Sequence, residues 1–297
     1  MLRHSVLLAI AIGCTAGCVS SSHGTTQELP EPVSLPPVSP EPARATSTSH
    51  TTWRISPVAE SKKYSSVLTT RIQQTGNIGK QDSLAVTTLY SLSIARTADV
   101  TSLSGKIEAF TVRAGEQIGS PVLELQLPVS FTGKFEDQEV QLEPVVSPNH
   151  ASSLTCDDFS LALLATVHRN VFIPPLEISG GQIWQDSTSY TMCSGPIPLS
   201  VVSVRNYRLT GEITFDGVTA FIVDENERTF SRGEGSQGQH RVRVETHSTT
   251  TKRLYLDRTS GALLSLSADS KTILSIQTSG RMQNFIETSK ENTNRQD

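Results

Sequence analysis

The chain has 297 residues with a formal charge of −4, or −5 once Arg3 is lost with an N-terminal signal. So mild an acidic balance gives no electrostatic basis for binding nucleic acid. Charged residues make up 18%, against an average of about 25%, and 39 Ser and 33 Thr take their place. That composition suits strands with a wettable, hydroxyl-rich outer face.

The first residues are Met1-Leu2-Arg3-His4, followed by the apolar run Val6–Ile12. Such a run is too short for a membrane-spanning helix, which needs about 20 residues. It fits the apolar segment of a secretory signal. It ends in Thr15-Ala16-Gly17-Cys18, small residues leading into a cysteine. This resembles the bacterial lipobox, although Thr15 stands where that family usually has Leu. Ala11-Ile12-Gly13-Cys14 is the alternative site. The resemblance implies that Cys18 (alternatively Cys14) is acylated and becomes the new N-terminus. It also implies a bacterial cell-envelope location. In diderm cells, Val19 after Cys18 points to the outer membrane.

Residues 19–52 carry six prolines among Ser, Thr and Glu and too few apolar residues to bury. They are expected to form a disordered tether. Its reach would be roughly 100 Å if fully extended and about 30 Å as a flexible coil.

Beyond it, residues 53–290 read as a β-sheet domain, with two halves, 53–148 and 176–290, as the alternative division, and 291–297 as a flexible tail. Period-2 alternation is clearest at Leu123, Leu125, Leu127, Val129 and Phe131. One side of such a strand faces a core or a ligand groove. These five residues are therefore the ligand-facing candidates. Similar runs cover Leu84–Ile94, Tyr207–Phe215 and Val242–Val244. Asp216-Gly217 is a strong hairpin dipeptide, and Ser260-Gly261 a weaker one. The pattern predicts a mainly β protein: an antiparallel meander of roughly ten long strands with one short helix. Thr155 and Asp158 stand in capping-box spacing ahead of Phe159–Ala165. The helix is expected to lie on the concave face of the sheet or to plug its open end. The segment from Gly180-Gly181 through Gly261-Ala262-Leu263 resembles uncharacterised β-rich lipoproteins whose strands curl into an open half-barrel. That resemblance implies shape, not function.

Cys156 and Cys193 are the two cysteines outside the signal. In an exported chain an isolated pair suggests a disulfide. A reactive thiol at Cys156, on a helix N-terminus, is the competing reading. The histidines form no HExxH or close pair, and Gly233–Gly238 lacks both nucleophile-elbow and P-loop spacing, reading instead as a hairpin tip. The acidic groups Glu136-Asp137 and Asp157-Asp158 read as a solvated turn and a helix cap. No catalytic residue, metal site or cofactor is expected.

Residues 116–144 hold six acids and one base, whereas residues 228–258 hold seven bases and three acids. The two segments are expected to pair as neighbouring strands. A basic rim facing anionic headgroups or a partner is the alternative. Together these features suggest a lipid-anchored, non-catalytic binding module for an apolar ligand or an envelope protein. The alternatives are a structural or assembly scaffold of the envelope and, behind it, a cryptic hydrolase.

Overall fold

The computed structural model describes residues 52–56, 60–75, 81–96, 100–114, 117–118, 127–145, 156, 160–194, 197–237 and 240–296. The proposed signal, the lipidation candidates Cys14 and Cys18, almost all of the tether, the capping residues Thr155 and Asp158, and Leu123 and Leu125 lie outside them.

Long strands dominate. They are β1 (Thr52–Arg54), β2 (Lys62–Gln74), β3 (Gln81–Arg96), β4 (Thr101–Ala114), β5 (Gln117–Ile118), β6 (Val129–Glu136) and β7 (Glu139–Pro144). A helix, α1 (Ser160–Asn170), follows. The chain continues through β8 (Glu177–Ser179), β9 (Ile183–Ser194), β10 (Ile197–Phe215), β11 (Val218–Gln237), β12 (His240–Asp257), β13 (Leu263–Thr278) and β14 (Arg281–Gln296). The alternating burial of β10, in which Leu199, Val201, Ser203, Arg205, Tyr207 and Leu209 all point inward, shows why the period-2 pattern folds as it does.

The sheet closes on itself. Its order is β3-β2-β14-β13-β12-β11-β10-β9-β7-β6-β4, and β4 pairs back with β3. The result is an 11-stranded barrel, which corrects the expected half-barrel. An odd number of strands cannot alternate direction all the way round, so one neighbouring pair must be parallel. That pair is β7–β9, joined over Glu139↔Ser187 and Val140↔Thr188. A parallel pair needs a crossover, and the crossover here contains α1.

Closure also removes the division into two halves, because β14 pairs with β2 over twelve positions and both segments share one wall. The expected tail is likewise not one: residues 291–296 continue β14, with Glu291 and Thr293 buried. The Asp216-Gly217 hairpin forms as expected, both residues having positive φ, 47° and 78°. Most of the Gly233–Gly238 segment, in contrast, lies within β11 rather than at a tip. A Cβ at Gly233 would meet Pro198 O at 2.1 Å and Leu199 Cδ2 at 2.6 Å, so the wall there needs glycine.

Helix α1 runs inside the barrel. Leu161, Leu163, Leu164, Ala165 and Val167 are buried, and so are the polar Thr166, His168 and Asn170, so the covered surface extends beyond one apolar stripe. The luminal core falls into two clusters. The larger gathers α1 with Phe131, Tyr207, Phe221 and Leu254, and the smaller holds Ile197, Leu199, Val244, Leu274 and Phe285. Cys156 and Cys193 are joined by a disulfide, their Cα atoms 5.4 Å apart, tying the approach to α1 to the end of β9.

Candidate functional site

Between the two clusters the inward positions turn polar. On β12, Val242 and Val244 give way to Thr246, Ser248, Thr250 and Lys252 before Leu254 and Leu256. On β13 the interruption is Ser270 and Thr272, and on β14 it is Glu287, Ser289 and Glu291. Closure stacks these interruptions into layers across neighbouring strands.

The first layer is ionic and receives the C-terminus of α1. Lys252 Nζ lies 2.8 Å from Glu225 and 2.9 Å from Glu227, and donates to the carbonyl of Arg169 at 2.9 Å. Arg205 Nε donates to Asp186 at 2.5 Å, while Nη1 donates to the carbonyl of Val171 at 2.9 Å. Tyr207 donates to the same carboxylate at 3.2 Å. Asn170 donates to Glu291 at 2.8 Å, beside the hydroxyl of Ser66. Two buried cations thus meet the carbonyls that end the helix, where its dipole favours positive charge. Burial disfavours the Lys252 ammonium, but Glu225 and Glu227 outweigh it and hold its pKa above the ordinary value. Burial also opposes the Glu227 carboxylate, yet Lys252 and the hydroxyl of Ser203 bring its pKa down to about 2. His168, stacked on Tyr190 with ring centroids 4.2 Å apart, is pushed down to about 3 by burial and by the charge of Arg205. This layer is a socket for the helix.

The second layer is a chamber of about 210 Å³ below α1. One wall carries the hydroxyls of β11–β14. Ser231 and Thr246 pair at 2.6 Å, and Thr272 donates to Ser248 at 2.9 Å. Thr250 and Ser270 stand opposite each other, and among the described residues no side chain bonds to either hydroxyl. The other wall is apolar: Leu68, Leu84, Val86 and Phe110. Arg169 reaches in from the helix, its Nε 3.6 Å from Glu291. Burial raises the pKa of Glu287, with only Ser289 donating to it. A second cavity of about 50 Å³ lies at Tyr64, Tyr90 and Phe172. Among the described residues no group of His, Cys, Asp or Glu could hold a metal.

The sequence candidates fall elsewhere. Leu127 is half-buried against the larger cluster, and Val129 and Phe131 are buried within it. Phe131 lies over Gly105, where a Cβ would come within 2.4 Å of the ring. These side chains face a packed interior, not the walls of the chamber. The Ser and Thr residues are divided between the two faces: Thr249 and Thr251 point outward as expected, but a belt of Ser and Thr also points into the lumen. The expected pairing of acidic with basic segments does not occur. β6 and β7 neighbour β4 and β9, and the bases of β11–β12 find partners on those strands and on β10. Glu234 meets Arg241 at 2.6 Å, Asp224 meets Arg253 at 2.9 Å, and Glu212 meets Arg258 at 3.5 Å. The signal for the chamber was present as the mid-strand switch from aliphatic to polar residues at inward positions.

The outer wall is largely polar. On β12 the outward residues are Arg241, Arg243, Glu245, His247, Thr249, Thr251 and Arg253, unlike the apolar band of about 25 Å on a lipid-embedded barrel. One outward row is more apolar, running Val202↔Phe230↔His247↔Ile273↔Ile286 across five strands. Among the described residues, no helix is long and apolar enough to cross a membrane.

No family model matches this chain. No curated protein matches it either. Among solved structures, a chain described under "Asymmetric conductivity of engineered proteins" aligns with 80% of this chain and 99% of its own length at 8% identity. Its TM-score is 0.18, which carries no argument about fold or function.

Proposed function

We propose that this chain is a lipid-anchored cell-envelope lipoprotein whose barrel is a non-catalytic binding module holding one small ligand in its lumen. The observation that carries the reading is the chamber beneath α1. Protein interiors pack closely and rarely leave voids larger than a water, yet here about 210 Å³ is framed by side chains with unused hydrogen-bonding capacity. The anchor rests on Gly17-Cys18 behind a short apolar run. Cys18→Ala should prevent acylation and release the protein from the detergent phase, whereas continued lipidation would assign the anchor to Cys14. A purely apolar ligand, the occupant expected from the strand pattern, suits only one wall.

Native mass spectrometry of the protein extracted from its own membrane tests the binding reading. An added mass that disappears on denaturation is expected. A bare polypeptide mass, together with a higher Tm for Ser270→Leu, would mean that the chamber is only a packing defect. The second reading, an envelope scaffold, draws on the outward row Val202, Phe230, Ile273 and Ile286, whose exposures run from 37% to 51%. Under that reading Ile273→Lys removes co-isolating envelope proteins and leaves the native mass unchanged.

A further inference from the structure

Resting on the luminal-binding reading, we infer that the chamber takes a neutral polyhydroxylated molecule about the size of one sugar ring. Charge is the first argument. Lys252 is already occupied by Glu225, Glu227 and the carbonyl of Arg169. Arg169 faces Glu291, and Glu287 sits beside them on the wall. An anion entering the chamber meets three carboxyl groups, and a cation meets two side chains of its own sign. An anion finds no uncompensated cation, because Arg169 and Lys252 already face carboxylates, and a cation finds only Glu287, whose charged form burial already disfavours; an unpaired charge away from water is costly. A neutral ligand avoids both costs.

The second argument is the asymmetry of the walls. The hydroxyl wall lies on β11–β14 and the apolar wall on β2–β4. The two walls are neighbouring arcs of the ring that meet where β14 pairs with β2, so the chamber is polar along one side and apolar along the next. Hydroxyls both donate and accept. Thr250 and Ser270 use none of that capacity on side chains among the described residues, whereas Leu84, Val86 and Phe110 offer only contact. A ring with hydroxyls at its edge and C–H groups on its face matches both surfaces. A fatty chain would leave the hydroxyl wall unsatisfied, and a fully polar ion would dry the apolar one without gain.

Size is the third. The chamber corresponds to about seven waters at about 30 Å³ each. That is on the scale of one six-membered ring with its hydroxyls and below the roughly 300–1,000 Å³ of pockets for drug-sized ligands.

The experiment uses the full-length chain purified in detergent, titrated by calorimetry up to about 20 mM probe. The neutral probes are D-glucose, D-galactose, N-acetyl-D-glucosamine and myo-inositol. The comparison probes are D-glucuronate, D-glucosamine and laurate. Saturable binding of a neutral probe is expected, weakened about tenfold by Thr250→Val and by Ser270→Ala, with Tm unchanged in both. Charged analogues should bind about tenfold more weakly still. If laurate or a charged probe saturates and the neutral ones do not, the ligand class is overturned while luminal binding stands. If no probe binds, the inference is overturned, and the native mass decides separately whether the chamber holds any ligand at all.

Discussion

His168 shows how much a single luminal side chain can govern. Its ring lies against Tyr190, within hydrogen-bonding distance of Thr188 at 3.1 Å, and burial together with the Arg205 charge lowers its pKa from 6.5 to about 3. The unfolded chain therefore takes up a proton at this residue below pH 6.5, and the folded chain does not until near pH 3. Stability should fall as pH drops through that window, by up to about 1.4 kcal/mol per pH unit from this group. Glu227, lowered from 4.5 to about 2, adds stability above pH 4.5 that is lost between pH 4.5 and 2. Asp186, Glu225 and Glu287 are raised and act in the opposite sense. A comparison with His168→Gln isolates the histidine, since the carboxyl groups are common to both proteins. Urea unfolding at pH 7, 6 and 5 should show wild type losing stability faster than the variant, and parallel curves would refute the assignment.

At the scale of elements, α1 is the unusual one, because it fills a lumen rather than covering a sheet. Its last carbonyls are met by Lys252 and Arg205, and the disulfide from Cys156 to Cys193 holds the approach to its N-terminus. The cysteines are 37 positions apart in sequence and enclose the whole helix. Replacing both cysteines by serine should cost about 3–4 kcal/mol if loop entropy dominates. Reduced wild-type protein should unfold at the same urea concentration as the double variant. β14 tests a different point. Its last residues, Glu291 to Gln296, pair with Leu68 to Lys63 of β2 and put Glu291 and Thr293 into the interior. Deleting 291–297 should therefore abolish cooperative thermal unfolding, whereas a dispensable tail would leave Tm unchanged.

The whole molecule is governed by closure. Ten of the eleven joints around the barrel are antiparallel, and most are long; β11 and β12 pair over eighteen positions. The β7–β9 joint has only two paired positions, helped by Ser187 N–H donating to Gln138 O at 2.8 Å and Thr188 Oγ1 donating to Val140 O at 2.8 Å. Local opening follows the weakest cooperative contacts. Amide exchange should thus be fastest along β7 and the facing half of β9 and slowest in the centre of β11 and β12. Uniform protection around the ring would mean that the parallel joint is as strong as the rest.

The residues alone carried the strand-rich class, the long meander, the Asp216-Gly217 hairpin, a helix near 160 and the pairing of Cys156 with Cys193. Each of these depends on local alternation, turn chemistry or the count of available partners. Arg205 was legible in part, since it keeps the inward parity of Val201, Ser203, Tyr207 and Leu209. Nothing local says that a charge at that parity will find Asp186 and a helix carbonyl. Phe131 was placed on the inward face correctly, but whether that face meets a groove or a packed core depends on strands far away in the chain. Composition suggested hydroxyls on the outer face and did not single out the luminal belt, because alternation assigns a face only relative to neighbours. The return of β4 to β3 and of β14 to β2 decides that Thr250 and Ser270 look into a lumen. Alternation is a property of one strand, whereas inside and outside exist only once the eleven strands have closed.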